Sequence, residues 1–158
     1  AVMDKGRIIQ VGSATDVYEY PNSRFVAGFI GSINFLDGTV TSIEDGIASI
    51  VVPEFGKKVS ARAVPGITPG MKATLAIRPE KIAIARRQPT GINDLSGVVE
   101  GLAYFGKDSL YRVKLPSGRV LSVNSVNARR VGEHDRVADW EDEVCLSFDP
   151  GAAILLTD

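Results

Sequence analysis

From residue 35 onward, the sequence consists of short runs rich in Val, Ile and Leu, separated by turn-forming residues. Gly, Pro and Asp recur between neighbouring runs, as in Glu44-Asp45-Gly46 and Pro116-Ser117-Gly118. Many short strands joined by tight turns are typical of a β-barrel or a β-sandwich. We therefore predict a mainly β fold, with strands at 36–43, 47–52, 58–63, 72–78, 81–86, 95–104, 109–115, 119–124, 142–148 and 152–156.

Two segments of this β region resemble two later segments. Residues 36–43 (LDGTVTSI) resemble residues 95–102 (LSGVVEGL) at an offset of 59. Residues 75–84 (LAIRPEKIAI) resemble residues 146–155 (LSFDPGAAIL) at an offset of 71. An internal repeat indicates a repeated structural unit. The sequence therefore predicts two similar halves, built either as two small barrels packed together or as one interleaved double barrel.

The repeated segment LAIRPEKIAI carries charges and a proline where a strand would be apolar. Proline has no N–H for a strand ladder, and it holds the residue before it in an extended conformation. Arg78 is therefore predicted to end a strand, and Pro79 to begin a turn or a single helical turn. We predict a structural role for Arg78, Pro79 and Glu80, at a corner that docks onto the preceding segment or onto a partner chain through charge-assisted contacts.

The first part of the chain has a different pattern. Residues 2–11 predict a β-hairpin, because strand-like runs flank the tight-turn signal Asp4-Lys5-Gly6. Ser13 and Asp16 have the spacing of a capping box and predict the start of a short helix. A second short helix is predicted over 23–30.

Composition excludes several kinds of site. The 158 residues have a net charge of −1, so no overall field attracts nucleic acid. A single histidine, His134, and a single cysteine, Cys145, leave no cluster with metal-ligand spacing and no candidate catalytic triad. The acidic residues between 135 and 143 are interpreted as a solvated loop. We predict that Trp140 closes one end of the barrel, with an exposed recognition aromatic as the alternative.

The segment GLAYFGKDS, residues 101–109, partly matches the phosphate-binding P-loop pattern. Asp108 stands where the P-loop requires Ser or Thr, and the residues that follow alternate as in a strand, not as in a helix. We therefore predict a hairpin turn. Lys107 and Ser109 remain candidates for a weak anion site, with backbone N–H groups of the same turn.

The opening stretch VMDKGRIIQVGSATDVYEYPNSRFVAGFIGSINFLDGTV resembles part of the ATP-binding subunit of ABC importers, where the ATPase domain ends and the C-terminal regulatory domain begins. LAIRPEKI resembles the Arg-Pro-Glu signature of that regulatory domain, called TOBE, a barrel related to the oligonucleotide-binding (OB) fold. The NARR stretch and the ending DWEDEVCLSFDPGAAILLTD resemble the subunits of putrescine and other polyamine importers.

The resemblance implies a division of the chain into three parts. Residues 1–12 would be a strand hairpin left from the ATPase domain, and residues 13–34 a helical connector. Residues 35–158 would be the TOBE domain, with OB-like halves at about 35–88 and 94–157. Because the hairpin would normally extend a larger sheet, we expect it to fray or to pair with another copy.

The resemblance also implies a non-catalytic function in regulation and dimerisation. The ATPase motifs of the family would lie before Ala1, so ATP and Mg²⁺ are expected in a full-length parent and no cofactor in this chain. The implied partners are the chain's own ATPase domain, a second copy and the membrane permease subunits. The implied location is cytoplasmic, at the inner face of the bacterial plasma membrane.

Two other functions stay open. The first is binding of a small oxyanion such as molybdate, as in related barrels, at Lys107 and Ser109. The second is binding of single-stranded nucleic acid, which needs strand aromatics within a basic groove. Tyr104, Phe105 and Tyr111 lie close together in sequence with little positive charge around them, so nucleic acid is not an expected partner.

Overall fold

The chain begins with the predicted β-hairpin. The computed structural model describes residues 1–127 and 136–158. Strands β1 (Val2–Asp4) and β2 (Arg7–Gln10) pair antiparallel. Lys5 and Gly6 between them have φ angles of 46° and 78°. Two consecutive residues with positive φ give a turn whose twist matches that of the two strands, and this turn sets the hairpin.

Two short helices follow, as predicted. Helix α1 (Ala14–Glu19) begins with a complete capping box, in which the Ser13 hydroxyl accepts the Asp16 N–H and the Asp16 carboxylate accepts the Ser13 N–H. Helix α2 (Arg24–Ile30) begins after Ser23, whose hydroxyl accepts the N–H of Val26. Both helices therefore start at serine caps that are recognisable in the sequence.

The hairpin packs against these helices. Val2, Val17 and Val26 form a buried cluster between the hairpin, α1 and α2. The Gln10 side chain also hydrogen-bonds to the backbone of the loop between the helices, at 3.0 and 2.9 Å. The chain's own helices therefore hold the inner face of the hairpin. Its outer face carries exposed apolar side chains, at Met3, Ile8 and Val11.

The rest of the chain forms two five-stranded antiparallel sheets that curl into barrels. The first barrel has the strand order β12-β6-β3-β4-β5, and β12 contacts β5. Its strands are β3 (Asn34–Glu44), β4 (Ile47–Val52), β5 (Lys57–Arg62), β6 (Lys72–Ile77) and β12 (Ala153–Leu156). The second barrel has the order β10-β9-β8-β11-β7, and β10 contacts β7. Its strands are β7 (Ala83–Ala85), β8 (Asp94–Tyr104), β9 (Asp108–Lys114), β10 (Val120–Val126) and β11 (Glu143–Ser147).

Each barrel takes one edge strand from the other half of the sequence. β12 pairs with β6, so that Leu155 lies opposite Leu75, and β7 pairs with β11, so that Ile84 lies opposite Leu146. Buried apolar residues of both barrels form one continuous core. The predicted mainly β fold with two similar halves is confirmed, and of the two arrangements the interleaved double barrel is observed.

The repeat is visible in single residues of the two barrels. The β3–β4 ladder shifts register between Val40 and Ser42, and the β8–β9 ladder shifts at the equivalent place after Val99. A Cβ added to Gly38 would lie 2.6 Å from the Val51 carbonyl oxygen, and one added to Gly97 would lie 2.5 Å from a methyl of Val113. Glycine recurs in this motif because the neighbouring strand approaches too closely for a side chain.

Three details differ from the predictions or fall outside the structure. The strand predicted at 81–86 is confined to Ala83–Ala85, because Pro79–Lys81 form a 3₁₀ turn before it. The prediction that Trp140 closes a barrel is wrong, since 65% of this residue is exposed. His134 and the acidic residue Asp135 lie outside the described residues. The division at 1–12, 13–34 and 35–158 stays a prediction.

Candidate functional site

The segment Arg78-Pro79-Glu80 is the place where the chain crosses from the first barrel to the second. β6 ends at Ile77, one 3₁₀ turn covers Pro79–Lys81, and β7 begins at Ala83. Arg78 has φ −72° and ψ 144°, the extended conformation that a following proline imposes. The turn packs against β10 of the second barrel. The charged break in the strand pattern is therefore a crossover between barrels, which we call the Arg78 corner.

The Arg78 side chain points back to the two helices and is almost fully buried, with 2% of the residue exposed. Its Nη2 donates to the carbonyl of Tyr18 at 3.1 Å, and its Nη1 lies 3.4 Å from the carbonyl of Ser32 and 3.5 Å from that of Ala27. The guanidinium also stacks on the Tyr18 ring, with its carbon 3.8 Å from the ring centroid. This one side chain therefore contacts both helices and the residues after them.

The partners of Arg78 are carbonyl groups, not a carboxylate. Within residues 1–127 and 136–158 it forms no ion pair, and its Nε has no hydrogen-bond partner. Tyr18 and Ala27 lie in the last turns of α1 and α2, where carbonyls lack partners within the helix and the helix dipole is negative. Two helix ends thus stabilise one buried cation, which would be costly to bury without such partners.

Glu80 and Lys81 bind the outer side of α1. The Tyr18 hydroxyl donates to the Glu80 carboxylate, and the Lys81 ammonium lies 3.3 Å from the carboxylate of Glu19. Burial raises the pKa of the Tyr18 hydroxyl, and the hydrogen bond to Glu80 raises it further. Tyr18 is therefore in contact with Arg78 on its ring and with Glu80 at its hydroxyl. The structure brings these two charged residues together on one tyrosine, at the position predicted for docking.

A pair of buried asparagines joins the two barrels. Asn34 donates to the carbonyls of Ile77 and Ser122 at 3.1 and 2.9 Å and accepts the Ser122 N–H at 2.9 Å. Ser122 lies on β10, so this side chain connects the first barrel to the second.

Asn93, 59 residues later, repeats the arrangement. It donates to the carbonyls of Ser60 and Phe148 at 2.9 and 3.2 Å and accepts the Ser60 N–H at 2.7 Å. Both asparagines lie two residues before the repeated segments 36–43 and 95–102 and were not among the predicted site residues. The signal was present in the repeated pattern Ile-Asn-x-Leu-x-Gly.

Of the candidate anion residues, Lys107 lies in the turn between β8 and β9 and Ser109 lies near the start of β9, which confirms the predicted hairpin in place of a P-loop. Lys107 is exposed, whereas Ser109 is buried and its hydroxyl donates to the Asn127 side chain at 3.1 Å. The structure therefore does not bring the two side chains together around a free space. Of the three aromatics considered for nucleic acid, Tyr111 is buried and only Tyr104 and Phe105 are exposed.

Several of the other charged side chains form ion pairs. Arg86 binds the carboxylates of Asp139 and Asp142, and Arg136 lies 3.5 Å from Asp139. Within the described ranges, no group of three His, Cys, Asp or Glu side chains is placed to hold a metal ion. In the same part of the chain, no helix has the length and apolar character needed to cross a membrane.

The sequence is similar to ATP-binding proteins of import systems. The spermidine/putrescine import ATP-binding protein PotA of Mesorhizobium japonicum is 38% identical over 132 residues, which are 84% of this chain and 35% of that protein. The putrescine transport ATP-binding protein PotG of Escherichia coli is 31% identical over 158 residues, 99% of this chain and 41% of that protein. The chain therefore spans about two fifths of the length of these curated relatives.

A solved structure shares the fold. The cytoplasmic molybdate-binding protein ModG, crystallised with molybdate bound, superposes with a TM-score of 0.67 and 14% sequence identity, covering 79% of this chain and 96% of that chain. The sequence also matches the TOBE domain family over residues 75–156, which is more than half of the chain. This match runs from within β6, through the Arg78 corner, to the end of β12. The chain belongs to the TOBE domain family.

Proposed function

We propose that this chain is the non-catalytic regulatory and dimerisation part of the ATP-binding subunit of an ABC importer, and that the importer carries putrescine, spermidine or a similar polyamine. The family match supports the assignment to a TOBE domain. The names of the relatives, which are import ATP-binding proteins for spermidine and putrescine, support the parent protein and the solute class.

The observation that carries the regulatory role is the Arg78 corner. The corner is the first of the two crossovers between the barrels, and its buried cation is held by carbonyls at the ends of α1 and α2. The same helices hold the hairpin through Val17 and Val26. A displacement of the hairpin and helices would therefore act on both barrels at one of the two places where the chain connects them.

The proposal assigns the other components to the full-length protein. ATP and Mg²⁺ would bind to an ATPase domain that precedes the residues of this chain, and no cofactor to the chain itself. The partners would be that ATPase domain, a second copy of the subunit and the permease subunits, and nucleic acid would not be one. The subunit would be cytoplasmic, at the inner face of the bacterial plasma membrane.

A chimera tests the proposal. This chain replaces the matching segment of Escherichia coli PotG, and putrescine uptake and ATP hydrolysis are measured in membrane vesicles. We expect the chimera to transport, and we expect Arg78→Ala to lower uptake per ATP hydrolysed by at least about fivefold, the lower end of usual coupling energies.

Arg112→Ala is the matched control, because Arg112 is an exposed arginine that lies 3.8 Å from Glu100 and away from the corner. It should leave uptake per ATP unchanged. The regulatory role would be contradicted if Arg78→Ala left uptake per ATP unchanged in the chimera. It would also be contradicted if PotG without the matching segment were equally active and dimeric.

Binding of a small oxyanion is the second candidate, favoured by the shared fold with molybdate-bound ModG. Lys107 is exposed and available, but Ser109 is occupied by Asn127, which weakens this candidate. Calorimetry with molybdate tests it directly. Binding with a dissociation constant below about 1 mM, and its loss in Lys107→Ala, would favour this candidate. The absence of any heat of binding would exclude it.

A further inference from the structure

A groove of about 600 Å³ lies on the outside of the second barrel. We call it the arginine groove, and all of its lining residues are among those that the structure describes. Val98 on β8 forms part of its floor, and 40% of this residue is exposed. Around it lie Arg86, Arg87, Pro89, Lys114 and Pro116. The volume is within the range of pockets that enclose small organic molecules.

One wall of the groove is cationic, and its arginines are held in place. The Arg86 guanidinium lies 2.7 Å from the Asp142 carboxylate, and Arg87 Nη1 lies 2.7 Å from the Asp94 carboxylate. Among the described residues, the hydrogen bonds of Arg87 use Nη1 alone, so its Nη2 and Nε remain available as donors. Arginine presents donors in a fixed planar fork, which suits carboxylate, sulfonate and phosphate groups.

The strand register adds a further charge beside Val98. Lys114 lies directly opposite Val98 on β9 and forms no ion pair within residues 1–127 and 136–158. Glu143, opposite Val98 on β11, is the one carboxylate of the lining. Asp142 and Asp94 compensate the charges of Arg86 and Arg87, so within the described part of the chain the unpaired charges of the lining are Lys114 and Glu143. The available Nη2 and Nε donors of Arg87 add to the Lys114 ammonium and give the groove its preference for an anion.

The first barrel has a groove at the equivalent place, with a volume of about 450 Å³. Thr39 takes the position of Val98, and Lys72 that of Glu143. Asp158 stands where Arg87 stands in the second barrel, and Arg24 is paired with Asp37 at 2.8 Å. The same fold thus forms both grooves, but only the groove of the second barrel combines a cationic wall with an apolar floor.

We propose that the arginine groove binds an organic anion with an apolar body, such as an aromatic or aliphatic carboxylate or sulfonate. The anionic group lies against Arg87 and Lys114, and the apolar body covers Val98 and the two prolines. An inorganic oxyanion would leave the apolar floor exposed, and a polyamine could not accept hydrogen bonds from Arg87 and Lys114. The site does not depend on the proposed transport function.

The probe is 8-anilinonaphthalene-1-sulfonate, an aromatic sulfonate whose fluorescence rises in apolar sites. We expect saturable binding to the intact chain, and Val98→Trp, which fills the groove, to weaken it by at least about tenfold. Thr39→Trp is the matched control, because it places the same ring in the equivalent groove of the first barrel, and it should leave the affinity unchanged. Thermal unfolding of each variant shows whether it remains folded.

Two further measurements separate this site from general apolar binding. Lys114→Glu should weaken the probe by about tenfold, since a charge reversal replaces attraction by repulsion. The uncharged relative N-phenyl-1-naphthylamine should bind far more weakly than the sulfonate. The proposal would be overturned if Val98→Trp bound the sulfonate as tightly as the intact chain, or if Thr39→Trp lost binding. It would also be overturned if the uncharged probe bound equally well, or if putrescine displaced the sulfonate.

Discussion

The two barrels share strand order, buried asparagines and close-packed glycines, but their crossovers differ. At the first crossover, Arg78 precedes Pro79 and reaches out to the two helices. At the second, Asp149 precedes Pro150 and accepts the N–H of Gly151 at 2.7 Å, so that it caps its own turn. The repeated core therefore sets the fold, whereas the single residue before each proline decides whether a crossover is joined to the rest of the chain.

The outer faces of the barrels differ in the same way. Helix α2 covers the first barrel, where Ala27 packs with Ala76 and Leu156 in a buried cluster. The equivalent positions of the second barrel carry Ser147 and Ala85, which are only partly buried. The asymmetry therefore arises from side chains outside the common core.

The largest expected effect concerns what the barrels share. We expect Asn34→Ala and Asn93→Ala to lower the free energy of unfolding by about 3 kcal/mol each, because each leaves buried backbone groups without partners. Chemical denaturation measures both. Asn22→Ala, at an exposed asparagine that donates to Ile9, is the control and should cost less than about 1 kcal/mol. A large difference between the two buried asparagines would contradict the equivalence of the barrels.

The next effect is the loss of stability when a methyl group is added at Gly38 or Gly97. An added methyl at Gly38 meets a backbone oxygen at 2.6 Å, whereas at Gly97 the nearest backbone oxygen is 3.0 Å away and the closest atom belongs to a side chain. We expect Gly38→Ala to cost about 3 kcal/mol and Gly97→Ala about 2 kcal/mol, since side chains move more easily than a strand. Gly101→Ala, with its nearest contact at 3.4 Å, is the control. Chemical denaturation measures both. A larger loss of stability for Gly97→Ala than for Gly38→Ala would show that the first barrel adjusts more easily to an added methyl group.

The crossovers should differ more in local order than in global stability. Arg78→Ala removes charge-assisted bonds to both helices, and we expect a loss of about 2 kcal/mol, with faster amide exchange throughout α1. Asp149→Ala removes one cap and should cost about 1 kcal/mol without any change in α1. Arg78→Lys keeps the charge but cannot span the same carbonyls, so it should resemble the alanine variant. Unchanged exchange in α1 for Arg78→Ala would show that the corner does not hold the helices.

The smallest effect is a pH dependence of the second barrel. Arg87, together with the N–H groups of Thr90 and Gly91, holds the pKa of Asp94 well below its usual value. A lowered folded-state pKa stabilises the protein above the unfolded value near 4, and this contribution is lost as the pH falls below it. We expect the difference in Tm between the intact chain and Asp94→Asn to shrink between about pH 7 and pH 3.

In the first barrel, Phe35 occupies the position of Asp94 and has no group that titrates. We therefore assign the expected pH dependence to the second barrel. A Tm difference that is constant with pH would exclude a role for the Asp94 carboxylate.

Features set within a few residues were predictable from the sequence. The Lys5-Gly6 turn, the capping box of Ser13 and the break at Pro79 each depend on the local backbone, and each lies where the sequence predicted it. The repeat likewise predicted two similar halves. It could not choose between separate and interleaved barrels, because both arrangements bury the same alternating apolar faces.

Only the tertiary structure decided how distant parts meet. β12 pairs with β6 across more than seventy residues, and the partners of Arg78 lie on helices far before it in the chain. An arginine is expected at the surface unless partners compensate its burial, and those partners are carbonyls that carry no sequence signal. The sequence by itself determined the strands, turns and corners, because their causes are local. The exchange of strands, the burial of Arg78 and the exposure of Trp140 depend on contacts that exist only once both barrels have formed.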